Sequence, residues 1–356
     1  MAKRICYIHI GPHKTGSSAI QWFLKENRAE LLKQSYFVPQ SGANQGGHHA
    51  IVRLLCGKDV PDHQQLVAAK FARSLEETSC KAVVISSEVL EGLLTRRACA
   101  EEFFNRIGKL NLDPKLVLFP RNQPQSINSR YAEVVKGCRC SEPFEAFAQA
   151  FTQRLSLRYS HLIDVADTFN AELIACPFTG ETIARSIIPE FLRAIGIDPS
   201  KFPDANVHRN QTAGPFTIAV GRRVSELIAG PGKRPTWLQA VRCKRKLAAY
   251  LEEKRWSDNG YCGLTTALAA HIERQWQPDN DVFAQRVWGT SWTEVFASDI
   301  GREFRPNDFD LSKPDESTER RLCQAVHEMT ETVKEIVLDP ALTIQASWND
   351  LMQRAG

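Results

Sequence analysis

The segment Tyr7-Ile8-His9-Ile10-Gly11-Pro12-His13-Lys14-Thr15-Gly16-Ser17-Ser18-Ala19-Ile20 runs from an apolar strand, through a turn bounded by two glycines, into a helix that opens with two hydroxyl residues. A turn of this kind suits an oxyanion. Glycine lets backbone N–H groups approach the anion closely, the helix N-terminus adds a partial positive charge, and Lys14, Thr15, Ser17 and Ser18 can donate to the same group. An ordinary strand-to-helix turn with Ser17 or Ser18 as N-cap explains the glycines and serines but not a lysine inside the turn. A Walker A loop places its lysine directly after the second glycine. Here Gly11 and Gly16 keep the Walker separation, Ser17 occupies the lysine position, and Lys14 comes two residues before Gly16.

Three further apolar runs, Ala82 to Ser86, Leu116 to Phe119 and Leu173 to Cys176, repeat the pattern set by Ile5 to Ile10: a short apolar run, a polar or glycine turn, then helical periodicity. Strands that read this way are covered on both faces, as in a parallel sheet. Ser18 to Gln34 carries Ile20, Phe23, Leu24, Leu31 and Leu32 on a helical repeat, and Ser126 to Lys136 carries Ile127, Tyr131, Val134 and Val135. The expected architecture is α/β, a parallel sheet flanked by helices. After about Pro215 the chain turns to long charged helices with no convincing strand. We therefore expect a catalytic core over 1–215 and a mainly helical C-terminal extension over 216–356, with Gly230 to Pro235 as its clearest loop.

The 356 residues are 43% hydrophobic and 24% charged, with 18 Pro and 20 Gly, which excludes disordered, collagen-like and coiled-coil classes. Lys and Arg (45) exceed Asp and Glu (41) by four and form no long run, an excess too mild to argue for nucleic acid and equally explained by an anionic small ligand. No apolar stretch approaches the roughly 20 residues that cross a bilayer, and the N-terminus enters a strand without a signal-peptide core, so a cytoplasmic location is expected. The ten Cys are dispersed, several inside apolar runs, as for reduced and buried thiols. Cys138-Arg139-Cys140 is one residue short of a zinc knuckle and no second pair follows, so no metal is expected.

A second motif follows the first in order. Leu116-Val117-Leu118-Phe119-Pro120-Arg121-Asn122 ends a strand in arginine, and Ser129 follows eight residues later in the next helix. Arginine there can fork two N–H donors onto a phosphate, and a serine about two turns along a helix can add a hydroxyl. With Lys14-Thr15-Gly16-Ser17-Ser18 after the first strand and Arg-x7-Ser after a later one, residues 5 to 200 resemble the sulfotransferases that use 3′-phosphoadenosine-5′-phosphosulfate, in their bacterial form. The resemblance implies a P-loop-like fold, with the donor's phosphosulfate on Gly11, His13, Lys14, Thr15, Gly16, Ser17 and Ser18 and its 3′-phosphate on Arg121 and Ser129. It also implies sulfuryl transfer, without a metal, to a hydroxyl or amine of a carbohydrate, lipid or small-molecule acceptor. The chain departs from the family in carrying Ser17-Ser18 for the commoner Thr-Thr and Ala19 for the tryptophan of cytosolic members, and no C-terminal Arg-Lys-Gly segment can be placed.

In-line displacement at sulfur needs a cation against the leaving bridging oxygen, a role for Lys14, and a base for the acceptor's proton. His48 and His49, in Gly46-Gly47-His48-His49 after the glycine-rich loop Ser41 to Gly47, are candidates, with His48 slightly preferred. Glu88, at the carboxyl end of the Ala82 run, is the other, since ligands of open α/β sheets collect there. Each also has a purely structural explanation, as a solvated histidine pair or a first-turn carboxylate. His13 can touch the transferred group or only shape the turn, and His208-Arg209-Asn210 is assigned no role. Two alternatives remain: a P-loop nucleotide kinase or NTPase, against which stand the displaced lysine and the lack of a clear Walker B aspartate, and a non-catalytic scaffold with a nucleotide pocket. The basic stretch Arg234 to Lys246 reads as a solvated helix before it reads as an anion site.

Overall fold

The computed structural model describes residues 3–40, 46–60, 62–203, 213–228, 234–256, 258, 260–309 and 314–339. Residues 41–45 of the glycine-rich loop, His208-Arg209-Asn210 and Gly230 to Lys233 lie outside the described residues. Five parallel strands make one sheet in the order β2-β3-β1-β4-β5: β1 (Arg4–Gly11), β2 (Tyr36–Phe37), β3 (Ala82–Ser86), β4 (Leu112–Leu118) and β5 (Glu172–Ala175). The β1–β2 connection holds α1 (Ser17–Glu26) and α2 (Arg28–Lys33), and the β2–β3 connection α3 (His49–Leu55) and α4 (Asp62–Glu77). Between β3 and β4 lie α5 (Val89–Leu94) and α6 (Arg97–Lys109), and between β4 and β5 lie α7 (Gln123–Lys136), α8 (Phe144–Phe151) and α9 (Ser160–Thr168). After β5 come α10 (Gly180–Arg185), α11 (Ile188–Ala194), α12 (Pro215–Leu227), α13 (Trp237–Glu253), α14 (Thr266–Trp288), α15 (Trp292–Val295) and α16 (Glu316–Leu338).

The α/β class and the parallel sheet are as expected from the sequence. Three details differ: β2 is an additional edge strand, the helix expected over Ser18 to Gln34 divides at Asn27, and β4 begins at Leu112 and runs through Pro114. No helix among the described residues is long and apolar enough to cross a membrane.

Strand order places the layers. The chain leaves β1 in one lateral direction, toward β2, whereas every later connection runs the other way, so right-handed crossovers put α1 and α2 on one face and α3 to α6 and α9 on the other. Burial follows this division. Cys6, Ile8 and Ile10 of β1 join Val83 and Ile85 of β3 against Ile51, Phe71, Phe103 and Leu162. The alternate residues Ile5, Tyr7, Ala82, Val84 and Val117 face Ile20, Leu24, Phe191 and Leu192 of α1 and α11. Because β1 turns to one face at its carboxyl end while β3 and β4 turn to the other, that end of β1 is the topological switch point where open sheets bind ligands.

The chain divides into two compact units, Met1–Gln123 with Arg154–Arg209 and Glu273–Ile300, and Pro124–Gln153 with Asn210–Ile272 and Gly301–Gly356. Two segments thus cross the boundary expected at 215/216: 124–153 groups with the helical unit and 273–300 with the sheet. In the second unit, α12, α13 and α16 bury Val220, Val224, Cys243, Leu247, Leu322, Met329 and Val333 against one another. Asp258 caps α12, accepting from the N–H groups of Gly214, Phe216 and Thr217 at 3.2, 3.0 and 2.8 Å. Arg222 is buried on a two-pronged pair with Asp308 (3.2 Å each), and the Tyr261 hydroxyl donates to the same carboxylate at 2.8 Å. Such a pair adds little net stability, but losing one partner strands a buried charge. All ten cysteines are free thiols.

Candidate functional site

The turn after β1 is held open by its backbone. Gly11 (φ 102°), Lys14 (φ 69°) and Gly16 (φ 79°) all adopt the left-handed region. A Cβ on Gly11 would stand 3.1 Å from Cβ of Glu88, so glycine here lets the loop lie against the end of β3. Thr15 and Ser17 are buried, and their hydroxyls donate inward to the Pro12 carbonyl at 2.7 and 3.4 Å, bracing the loop rather than facing outward. Lys14 and Ser18 are half-buried and His13 is exposed. Ala19 and Ile20 donate to the Gly16 carbonyl, so the N–H groups of Ser17 and Ser18 form the open N-terminus of the ten-residue α1. Backbone donors with a lysine in the same loop are what an oxyanion requires.

Arg121 reaches the same loop from the end of β4. Its Nη1 donates to the Lys14 carbonyl at 3.1 Å, and the guanidinium lies 5.5 Å from the Phe178 ring centre. Tyr159 clamps its backbone: the hydroxyl accepts from the Arg121 N–H at 3.1 Å and donates to the Arg121 carbonyl at 2.9 Å. Burial pushes the guanidinium pKa down to about 10, although the nearby Asp299 and Tyr159 act in the opposite direction. A cation so poorly solvated gains from an arriving anion. Ser129 lies on α7 and belongs to the second unit, whereas Arg121 belongs to the first.

The two adjacent histidines have different environments. His48 is fully buried, its Nδ1 accepts from the Ser86 N–H at 3.0 Å, and its Nε2–H donates to the Pro39 carbonyl at 2.9 Å. With both nitrogens engaged and burial pushing its pKa down to about 4, the ring ties β3 to the segment before α3. His49 is partly open. Its Nδ1 meets the Ser87 hydroxyl at 2.9 Å, and its Nε2 faces Oε1 of Glu88 at 3.8 Å. A Cβ on Gly47 would lie 2.7 Å from that Nε2, so a side chain at 47 would displace the ring. Burial lowers the His49 pKa while Glu88 acts against the shift. Burial raises the Glu88 pKa, but His49, His13 and a 2.6 Å hydrogen bond from Gln21 Nε2 outweigh it and hold the carboxyl below its usual value.

His9, buried on β1, shares a 2.8 Å hydrogen bond between Nδ1 and the Ser86 hydroxyl, and burial holds its pKa at about 4. A consequence for stability follows from the sign of these shifts. The unfolded chain protonates His9 and His48 near pH 6.5 and the folded chain only near 4, so their contribution is full above 6.5 and is lost as pH falls through that window. Denaturant unfolding across this range should therefore show uptake of about two protons on unfolding from these rings, reduced by about one in His48→Asn. An unchanged pH slope in that variant would refute the neutral, buried assignment.

At the carboxyl ends of β1, β3 and β4 the fold thus assembles Gly11, Lys14, Gly16, Ser18, His49, Glu88 and Arg121. Gln21, Ser87 and Tyr159 join them, beyond the residues to which the sequence points. Gln21 carries a signal in retrospect, a polar residue among the buried positions of α1. Ser87 and Tyr159 carry none, because their roles depend on contacts made only in the folded chain. Comparison of the chain with family models, curated proteins and solved structures finds no match.

Proposed function

We propose that the chain is a sulfotransferase that moves the sulfuryl group of 3′-phosphoadenosine-5′-phosphosulfate to a hydroxyl or amine of a carbohydrate, lipid or small-molecule acceptor. The observation that carries this reading is the contact between its two motifs. Arg121 donates to the carbonyl of Lys14, 107 positions away in sequence, so the two motifs meet beside the carboxyl ends of β1 and β4. The residue set also fits a ligand with more than one anionic group: the α1 N-terminus and Lys14 in the loop, and a half-buried guanidinium beside it. When bound, the donor supplies an activated sulfuryl group on a phosphate leaving group.

Each side chain then has a defined task. The Ser17 and Ser18 N–H groups hold the anion, and the Lys14 ammonium offsets charge on the bridging oxygen as its bond to sulfur breaks and the acceptor's bond to sulfur forms. The acceptor proton goes to the pair formed by His49 and Glu88. We prefer His49 over His48, since His48 has no nitrogen left to offer. In the tautomer that donates Nδ1–H to Ser87, the Nε2 lone pair of His49 faces Glu88, where an acceptor hydroxyl can meet either base. Because the two can partly replace each other, His49→Gln and Glu88→Gln should each lower kcat by tens-fold, and the double variant by more than either. Full activity in the double variant would remove both from proton transfer.

Calorimetric titration with 3′,5′-adenosine bisphosphate, the desulfated donor, tests the proposal without knowledge of the acceptor. Micromolar binding of the bisphosphate and none of Mg-ATP is the expected result. Preference for Mg-ATP would make the chain a P-loop nucleotide kinase or NTPase, and binding of neither would leave a scaffold.

A further inference from the structure

α3 carries a cation that the folded chain leaves without a counter-charge. The helix buries Ala50, Ile51, Val52 and Leu55, and it sets His49 and Arg53, four residues apart, as neighbours along one side. Arg53 is half-buried, and among the described residues its guanidinium meets neither a carboxylate nor a hydrogen-bond acceptor. The positions three and four away on either side are His49, Ala50, Cys56 and Gly57, none of them acidic. Exposed arginines on α4 and α6, the helices packed on α3, are treated differently: Arg73, Arg97 and Arg106 each pair with a glutamate four positions away. Glu88, the carboxylate of the site, is engaged by His49, His13 and Gln21. Burial lowers the pKa of His49, Glu88 opposes the shift, and the charge of Arg53 adds to it. Burial lowers the pKa of Arg53 as well. A guanidinium nevertheless stays charged at neutral pH, so a half-buried one without a partner gains from any anion that reaches it.

We propose that Arg53 anchors an anionic group of the ligand that lies over His49. The role of that ligand as acceptor rests on the sulfotransferase reading: it then carries a carboxylate, phosphate or sulfate beside the hydroxyl or amine that reacts. The fork of N–H donors suits any of these oxyanions. An acceptor held at Arg53 presents its reacting group one helical turn away, at His49 and Glu88, so the spacing between its anion and its nucleophile decides which group is sulfated. A neutral acceptor leaves the guanidinium unpaired and gains nothing from it, which favours anionic acceptors over neutral ones of the same shape.

The experiment takes sodium sulfate as probe and the ring signals of His49 as reporter, by nuclear magnetic resonance of the full chain with isotope-labelled histidine, saturated with 3′,5′-adenosine bisphosphate. His49→Gln identifies the signals. Sulfate should shift them saturably in the millimolar range, beyond the effect of sodium chloride at equal ionic strength. Arg53→Gln should weaken this binding at least about tenfold, the loss of charge-assisted hydrogen bonds to an anion. Arg53→Lys, which keeps the charge without the fork and covers a failure of the first variant to fold, should weaken it several-fold. Lys14→Ala should leave it unchanged, and bisphosphate affinity should be the same in Arg53→Gln as in the parent chain. No saturable shift, or one that both Arg53 variants leave intact, overturns the proposal. Loss in Lys14→Ala alone would put the sulfate on the phosphate loop and overturn it equally. Failure of the chain to bind the bisphosphate would sink the sulfotransferase reading, whereas a sulfate shift that still depends on Arg53 would keep the anchor and remove only the acceptor role.

Discussion

Lys14→Ala should lower kcat by a factor of about 10² to 10³ while changing the affinity for 3′,5′-adenosine bisphosphate only a few-fold. The substitution is unusually clean for a loop residue. Lys14 already sits at φ 69°, and alanine meets the same backbone cost there as lysine, so the turn is not further strained. Arg121 contacts the carbonyl of residue 14 rather than its side chain, and the Thr15 brace on Pro12 is untouched. What disappears is the ammonium. In the proposed reaction its charge is one of several near the anion in the ground state, but during transfer negative charge grows on the bridging oxygen, and a preorganised cation there is worth more than in the bound complex. Single-turnover rates and calorimetric affinities separate the two effects. Equal losses in rate and affinity would make Lys14 a ground-state anchor, and an unchanged rate would take it out of the chemistry and weaken the motif assignment with it.

The sheet was legible in the sequence where burial on both faces wrote continuous apolar runs. Ile5 to Ile10, Ala82 to Ser86 and Leu173 to Cys176 lie within a residue or two of β1, β3 and β5. β2 escaped because Tyr36 and Phe37 form a two-residue edge strand, too short for any period. The start of β4 escaped because Asp113-Pro114 reads as a turn. Pro114 is tolerated because β5 pairs only from Lys115 onward, so the strand has a neighbour on one side alone at that point. The division of the helix at Asn27 was equally hidden, since the apolar spacing of Leu31 and Leu32 continues the earlier register.

The candidate site was legible as two motifs but not as a constellation. Backbone-directed chemistry, glycines at a strand end and arginine after another, is carried by local spacing. The distinction between His48 and His49 is not. It depends on which ring turns toward Pro39 and Ser86 and which toward Ser87 and Glu88, and adjacent residues at the start of a helix differ by about 100° in direction. The assignment of 124–153 and 273–300 across the expected boundary is likewise a matter of long-range packing that no local composition reveals.

Arg121→Ala should weaken bisphosphate binding by roughly 30- to 150-fold, about 2–3 kcal/mol for the loss of charge-assisted hydrogen bonds to an anion. Arg121→Lys should recover little of this. The guanidinium has to serve the Lys14 carbonyl and a phosphate at once, and an ammonium without the planar fork cannot hold both directions from the same position. The variant also tests what the arginine does in the absence of ligand. If its main role were to brace the loop through Lys14, Arg121→Ala would lower thermal stability and the rate together. A ligand role instead predicts that bisphosphate affinity falls well beyond any loss of thermal stability, part of which is expected because the buried Asp299 loses a nearby cation. Tyr159→Phe provides the graded control. It removes the two hydrogen bonds that fix the Arg121 backbone but leaves the charge, so binding should fall only a few-fold and in the same direction. Wild-type affinity in Arg121→Ala would break the link between the two motifs, and the sulfotransferase reading would lose the observation on which it rests.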